Sequence, residues 1–262
     1  MDFIPIQQML TGAIGGAITS GLLKGPINSV ENYWNIFAGH FSEEKLLMIR
    51  AKQEQNLMIY KENLAKNISK IEPDNFKNPE LNIIGPALEA SKYYIENEDM
   101  RNMFAKLLAS SMDSSKDDVI HNSFVEIIKQ LSPEDAKNLL FLSASQFSPI
   151  VQIKAKFSNK AGESILEDNY LLTDRGHSPQ TKISIDNLER LGLIKVSYAN
   201  SLVQYNIYQN YIDTILRIKI DQVKESNHAQ TDESLLLDEP YILKGIVGLT
   251  SFGKSFNSVC ID

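Results

Sequence analysis

Asn97–Ser111 reads NEDMRNMFAKLLASS, and its spacing decides the fold class. Met100, Met103, Phe104, Leu107, Leu108 and Ser111 recur three and four residues apart, which places them on one face of a helix. Asn97 stands before Glu98 and Asp99 as an N-cap, and the two acids sit where the helix dipole favours negative charge. Downstream, polar residues Asp113 to Asp118 separate this helix from a second stripe of Phe124, Ile127, Ile128 and Leu131. Ser132-Pro133-Glu134-Asp135 then starts a third helix, with a capping hydroxyl, proline at the first helical position and acids in the first turn. Upstream, Ser42 with Glu43 and Glu44 opens a long helix whose stripe is Leu46, Leu57, Tyr60, Leu64, Ile68 and Ile71. Arg50 and Gln53 interrupt that stripe, so it predicts packing within the chain in preference to a coiled coil. Pro73 and the polar run to Asn78-Pro79 end the helix.

Beyond Phe147 the period changes. Val151, Ile153, Ala155 and Phe157 alternate with Gln152, Lys154 and Lys156, the pattern of a half-buried strand. Ser184 is expected to cap a short helix that runs through Leu191 and stops at Gly192. Leu193–Tyr198 and Leu202–Tyr208 read as strands, Tyr211–Val223 as a helix, and Lys224–Asp238 as a polar loop. Tyr241–Leu249 reads as a strand, and Thr250 caps a last helix carrying Phe252, Phe256 and Cys260 on one face. This succession looks like a winged helix with an insertion in its wing. The expected fold is mostly α with a C-terminal α+β part: a helical domain followed by a winged-helix-like domain. The corresponding boundaries are 1–41 for a glycine-rich apolar segment, 42–77 for the long helix and connector, 78–148 for the helical core and 149–262 for the winged-helix-like part.

The N-terminal segment carries no charge from Phe3 to Leu23. Gly12, Gly16 and Gly21, with Ala13 and Ala17, repeat at helical spacing and would let two helices approach closely. Packing against the rest of the protein or a second copy is the primary reading. Membrane association through residues 3–23 is the second, because Pro5, Gln7, Gln8, Thr11, Thr19 and Ser20 interrupt the apolar run. The 262 residues carry 26 Lys plus Arg against 33 Asp plus Glu, a net charge of −7, and residues Lys182 to Asp262 carry 8 basic and 10 acidic side chains. This balance argues against general DNA binding, which draws its affinity from neutralising phosphates. Cys260 is the only cysteine, which excludes an internal disulfide or a Cys-rich zinc site and fits a reducing, cytoplasmic setting.

The run from Asn78 to Asp113, with Ile84-Gly85-Pro86-Ala87-Leu88-Glu89-Ala90, Met103-Phe104-Ala105 and Leu107-Leu108-Ala109, resembles the abortive infection alpha family of bacteria. His121 and the stretch from Phe124-Val125-Glu126-Ile127-Ile128 to Ser132-Pro133, followed by Asp135-Ala136, continue the resemblance. A weaker echo lies in Asn187–Ile194 and in Leu249–Phe256 with Cys260. The resemblance implies a part in defence against phage and supplies no catalytic motif.

The residues themselves bring little chemistry. His40, His121, His177 and His228 lie far apart without a paired ligand spacing, and no phosphate loop, dinucleotide glycine fingerprint or serine-nucleophile elbow is present. Glu89 and Glu126 lie beside apolar stripes, where a buried carboxylate pair would suit acid–base work; solvated pairing with Lys92 and Lys129 is the ordinary alternative. His121 is expected to bond locally at a helix start. The expectation is therefore a non-enzymatic defence component without cofactor or metal, acting through a protein partner or self-association. Gly12, Gly16, Gly21, Glu89, His121 and Glu126 are its candidate interaction residues. A winged-helix nucleic-acid-binding regulator reading DNA through Ile185–Leu191 is the alternative.

Overall fold

The computed structural model describes residues 47–159, 162–174, 178–203 and 205–261, the side chains of 47–54, Lys92 and Tyr205 excepted. Among the described residues the chain forms α1 (Leu47–Ile68), α2 (Leu81–Tyr94), α3 (Glu98–Ser110), α4 (Phe124–Gln130), α5 (Pro133–Ser143), β1 (Ser148–Lys156), β2 (Glu163–Leu171), α6 (Pro179–Arg190), β3 (Ile194–Ser197), α7 (Tyr205–Ala229), β4 (Tyr241–Leu249) and α8 (Ser251–Cys260). It is thus mostly helical with a C-terminal antiparallel sheet of four strands. Among the described residues the chain divides into a helical unit, 47–136 with 255–261, and a sheet unit, 137–254.

In the helical unit α3 packs on α1, α2 and α4. Met100, Met103, Phe104, Leu107 and Leu108 are all buried, as their spacing predicts, and so are Tyr60, Leu64 and Ile68 of α1 and Ile84, Ala87 and Leu88 of α2. The Asn97 side chain accepts the Met100 N–H at 3.0 Å, so the predicted cap forms. At the turn into α5 the Ser132 N–H donates to Asp135 Oδ2 at 2.6 Å and the Asp135 N–H to Ser132 Oγ at 3.1 Å, a reciprocal capping pair. Phe124 of α4 meets Phe256 edge-on, with ring centroids 5.2 Å apart.

In the sheet unit the strand order is β2-β1-β4-β3, antiparallel throughout. Val151 and Ile153 of β1 form a core with Leu172 and with Tyr208, Ile212 and Ile215 of α7. Opposite Gln152 the register slips: Val151 pairs with Tyr170 and Ile153 with Glu167, so Asp168 and Asn169 of β2 bulge. Asn169 there adopts φ +50°, a left-handed conformation that asparagine tolerates better than most side chains. A second junction joins two stretches of the chain end to end. Gly192 stops α6 at φ +74°; Thr250 Oγ1 donates to its carbonyl at 2.6 Å and accepts the Gly253 N–H at 2.8 Å; and the Thr250 N–H donates to Leu193 O at 3.0 Å. A Cβ on Gly253 would overlap the Leu193 carbonyl, so only glycine permits this approach.

Several expectations require correction. Helix α6 begins at Pro179 and is capped by Ser178, whose Oγ accepts the Thr181 N–H at 3.2 Å; Ser184 is buried mid-helix and accepts a bond from Asn138 at 2.9 Å. Leu202–Tyr208 is not a strand. Tyr205 starts α7, because Tyr208, Ile212 and Ile215 bury at helical spacing and outweigh a short alternation. The polar stretch from Lys224 is helical to Ala229 and continues into a short 3-10 turn at Glu233–Leu235. Strand β2 was not expected at all, since the bulge breaks its alternation. Ser42, Leu46, the 1–41 segment with Gly12, Gly16 and Gly21, His40 and His177 lie outside the described residues.

Candidate functional site

Of the sequence candidates among the described residues, Glu126 and His121 are used locally. Glu126 is exposed on α4, and both its carboxylate oxygens accept from Lys129 Nζ, at 3.0 and 2.9 Å. Glu89 is exposed on α2, so the two glutamates do not form a buried carboxylate pair. Helical phase turns both away from the stripes that bury their neighbours. His121 is exposed just before α4; its Nδ1 accepts the Ser123 N–H at 3.1 Å and contacts Ser123 Oγ at 2.7 Å. The ring thus locks the local turn into α4. Cys260 is buried, and burial pushes its thiol well above the usual cysteine range, which suits packing and not nucleophilic attack.

A concave feature of the helical unit lies elsewhere. A pocket of about 230 Å³ opens between the end of α1 (Asn67, Lys70, Ile71), α3 (Lys106, Ala109, Ser110), the turn after it (Asp113, Lys116) and α8 (Ser258, Val259). Three lysines and one aspartate line it. Its floor forms because the free carbonyls at the end of α8 need donors. Lys106 Nζ donates to Ile261 O, Ser110 Oγ to Val259 O at 3.0 Å and Lys116 Nζ to Ser258 O at 3.0 Å. Asp113 is turned back on its own loop, where its Oδ1 accepts the Ser115 N–H at 2.9 Å and Ser115 Oγ at 2.6 Å. Sequence reading missed these lysines because they come from three separate elements, each unremarkable by itself. The one local signal was Lys106, a cation set between Phe104 and the pair Leu107-Leu108.

The sheet unit holds a second polar cluster, around the bulge. Gln152 Nε2 donates to Asp168 Oδ1 at 2.9 Å, Asn169 Nδ2 to Asp186 Oδ1 at 2.6 Å, and Tyr198 Oη to Asn169 Oδ1 at 3.0 Å. Burial first, and then the Asp168 carboxylate, raise the Tyr198 phenol above the ordinary tyrosine range. These bonds link β1, β2, α6 and the residue after β3.

Among the described residues no group of three or more His, Cys, Asp or Glu side chains is placed to hold a metal ion. No helix among them is long and apolar enough to cross a membrane. No curated protein and no solved structure matches the chain. Residues 52–260 do match the sequence profile of a family described as abortive infection alpha. That span takes in every residue of the pocket, the bulge cluster and the Gly192–Gly253 junction. With the match running through most of both units, the chain belongs to the abortive infection alpha family.

Proposed function

We propose that this protein is a non-enzymatic component of bacterial abortive infection, the anti-phage defence its family is named for, and that it acts by protein interaction. The observation that carries the reading is the family match over 52–260. Glu126 and His121 are exposed at the surface, each bonded to a sequence neighbour, which supports a binding role over an acid–base one. In this reading α6, β3 and β4 are a winged-helix-like module with α7 inserted in the wing, used against protein. Its helix supports that use. Asp186 holds Asn169, Glu189 accepts the Val196 N–H at 3.0 Å, and Arg190 donates to Asn187 at 2.7 Å. From Ile185 to Leu191 its charges are two acids against Arg190 as the one side chain able to make the common contact to guanine, a poor match to the basic face that DNA ordinarily meets. The segment 3–23, through Gly12, Gly16 and Gly21, supplies self-association or membrane contact.

The test is phage plating on cells that express the whole chain, the chain without residues 3–23, or Gly16→Leu. Protection by the whole chain that falls in both variants supports the reading. No protection by the whole chain overturns it. Micromolar binding to random duplex DNA at physiological salt, lost on Lys154→Glu with Lys156→Glu, would replace it with a nucleic-acid-binding regulator.

A further inference from the structure

We infer that the lysine-lined pocket of the helical unit is a binding site for a small phosphate monoester. Lys70, Lys106 and Lys116 supply charge, Asn67 and Ser110 neutral polar contacts. The chain as a whole is acidic, with 26 basic against 33 acidic residues, yet here three ammonium groups from three elements surround one cavity with a single carboxylate. That carboxylate, Asp113, is engaged with Ser115. Cations at the end of a helix are expected, and capping α8 accounts for Lys106 and Lys116. It does not account for Lys70. This exposed side chain comes from beyond the end of α1, and its hydrogen bond among the described residues is a long one, 3.3 Å to Asn67 three residues back. An ammonium has three donors, and Lys70 and Lys116 each place one on a protein acceptor among the described residues, so donors remain for a ligand.

Size and shape narrow the ligand. The volume of about 230 Å³ lies below the range of roughly 300–1,000 Å³ usual for drug-sized ligands, and suits a phosphate group with a small organic part. Point-charge donors arrayed around one cavity match the several terminal oxygens of a phosphate, a common lysine ligand, whereas a carboxylate offers two. Ile71, Ala109 and Val259 are the apolar members of the lining, against which the organic part can lie. The three lysines repel a metal cation. This inference rests on the pocket alone and not on the defence reading, so the failure of one leaves the other standing.

Calorimetric titration of the purified full chain tests it, with inorganic phosphate and a nucleoside monophosphate as probes and sodium chloride at matched ionic strength as the blank. The expected result is saturable binding with a dissociation constant near or below about 1 mM. It should weaken at least about tenfold in Lys70→Glu, which reverses a charge beside the anion. Lys70 is exposed, so this variant keeps its fold; an unchanged melting curve without ligand verifies that, and Lys70→Ala, expected to weaken binding less, is the milder check. Tighter binding of the monophosphate than of phosphate supports the proposal and assigns the apolar members of the lining to the organic part. Equal binding supports it with the phosphate group alone recognised. No saturable heat from either probe, or equal affinity in the parent, Lys70→Glu and Lys70→Ala, overturns it.

Discussion

The two units are held together by different chemistry. At the centre of the helical unit Phe104, Leu107 and Leu108 are fully buried among other apolar side chains, and Phe104 lies 5.9 Å from the Tyr94 ring. At the bulge of the sheet unit, the polar side chains Gln152 and Asn169 are nearly as buried and hydrogen-bond to Asp168 and Asp186. A lost methylene in the first leaves a cavity, whereas a lost partner in the second strands a polar group away from water. Substitutions in the helical unit should therefore scale with volume, and those in the sheet unit with geometry.

The largest effect expected is in the helical unit. Phe104→Ala removes a ring that is wholly buried, and should cost about 3–5 kcal/mol in chemical denaturation followed by helical circular dichroism. An unchanged unfolding midpoint would mean that the stripe does not form the core. In the sheet unit the corresponding break adds atoms. Gly253→Ala drives a methyl into the Leu193 carbonyl and should cost roughly 1–3 kcal/mol, or more if the backbone cannot shift. If it proves neutral, the Gly192–Gly253 junction is looser than its hydrogen bonds indicate. Asn169 separates strain from bonding. Asn169→Gly keeps the positive φ and loses the side-chain bonds, while Asn169→Ala loses both. We expect parent, then glycine, then alanine in order of stability, with the alanine variant lower by about 1–3 kcal/mol. Alanine equal to glycine would show that the backbone conformation costs nothing there.

The same contrast explains what could be read from the sequence. Asn97, the stripe of α3 and the Ser132-Pro133 start were legible because a helix closes its bonds within four residues and its buried face repeats locally. Tyr241–Leu249 and the Thr250 cap were legible for similar reasons, a uniform strand and a local turn. Strand β2 was not, because Asp168-Asn169 adds a residue to one strand, and its meaning depends on Gln152 sixteen positions away. Tyr208 was misread as strand because the carbonyl that accepts its hydroxyl, Gly245, lies 37 residues on. The pocket was illegible for the same reason: Lys106 and Lys116 gain their roles from carbonyls 155 and 142 residues later. Glu126 was legible as a surface residue through Lys129, three positions along, while its possible burial with Glu89 was a long-range conjecture that helical phase overturned.

The smallest expected effect sharpens the comparison using one ion pair from each unit. Glu126–Lys129 lies along α4 with both side chains well exposed, 59% and 40%, at three-residue spacing. Glu167–Lys219 joins β2 to α7 at 2.9 Å with side chains only 24% and 15% exposed. Water and salt screen the first pair almost completely, and a pair on one helix contributes only about 0.2–0.5 kcal/mol. The second is shielded by the sheet and fixes two elements far apart in sequence, so removing its lysine leaves a half-buried carboxylate without its cation. Even so, the partial exposure keeps its contribution near the top of the surface range, about 1 kcal/mol. Lys219→Gln should therefore destabilise measurably, and Glu126→Gln should stay within about 0.5 kcal/mol of the parent. Added salt should shrink the Glu126→Gln difference to nothing and leave part of the Lys219→Gln difference. Equal costs that vanish together in salt would mean that burial does not distinguish the pairs. Under the defence reading, Glu126→Gln should also plate phage as the parent does. A loss of protection without a loss of stability would make Glu126 a contact residue, the role its exposure and its place in the family block leave open to it.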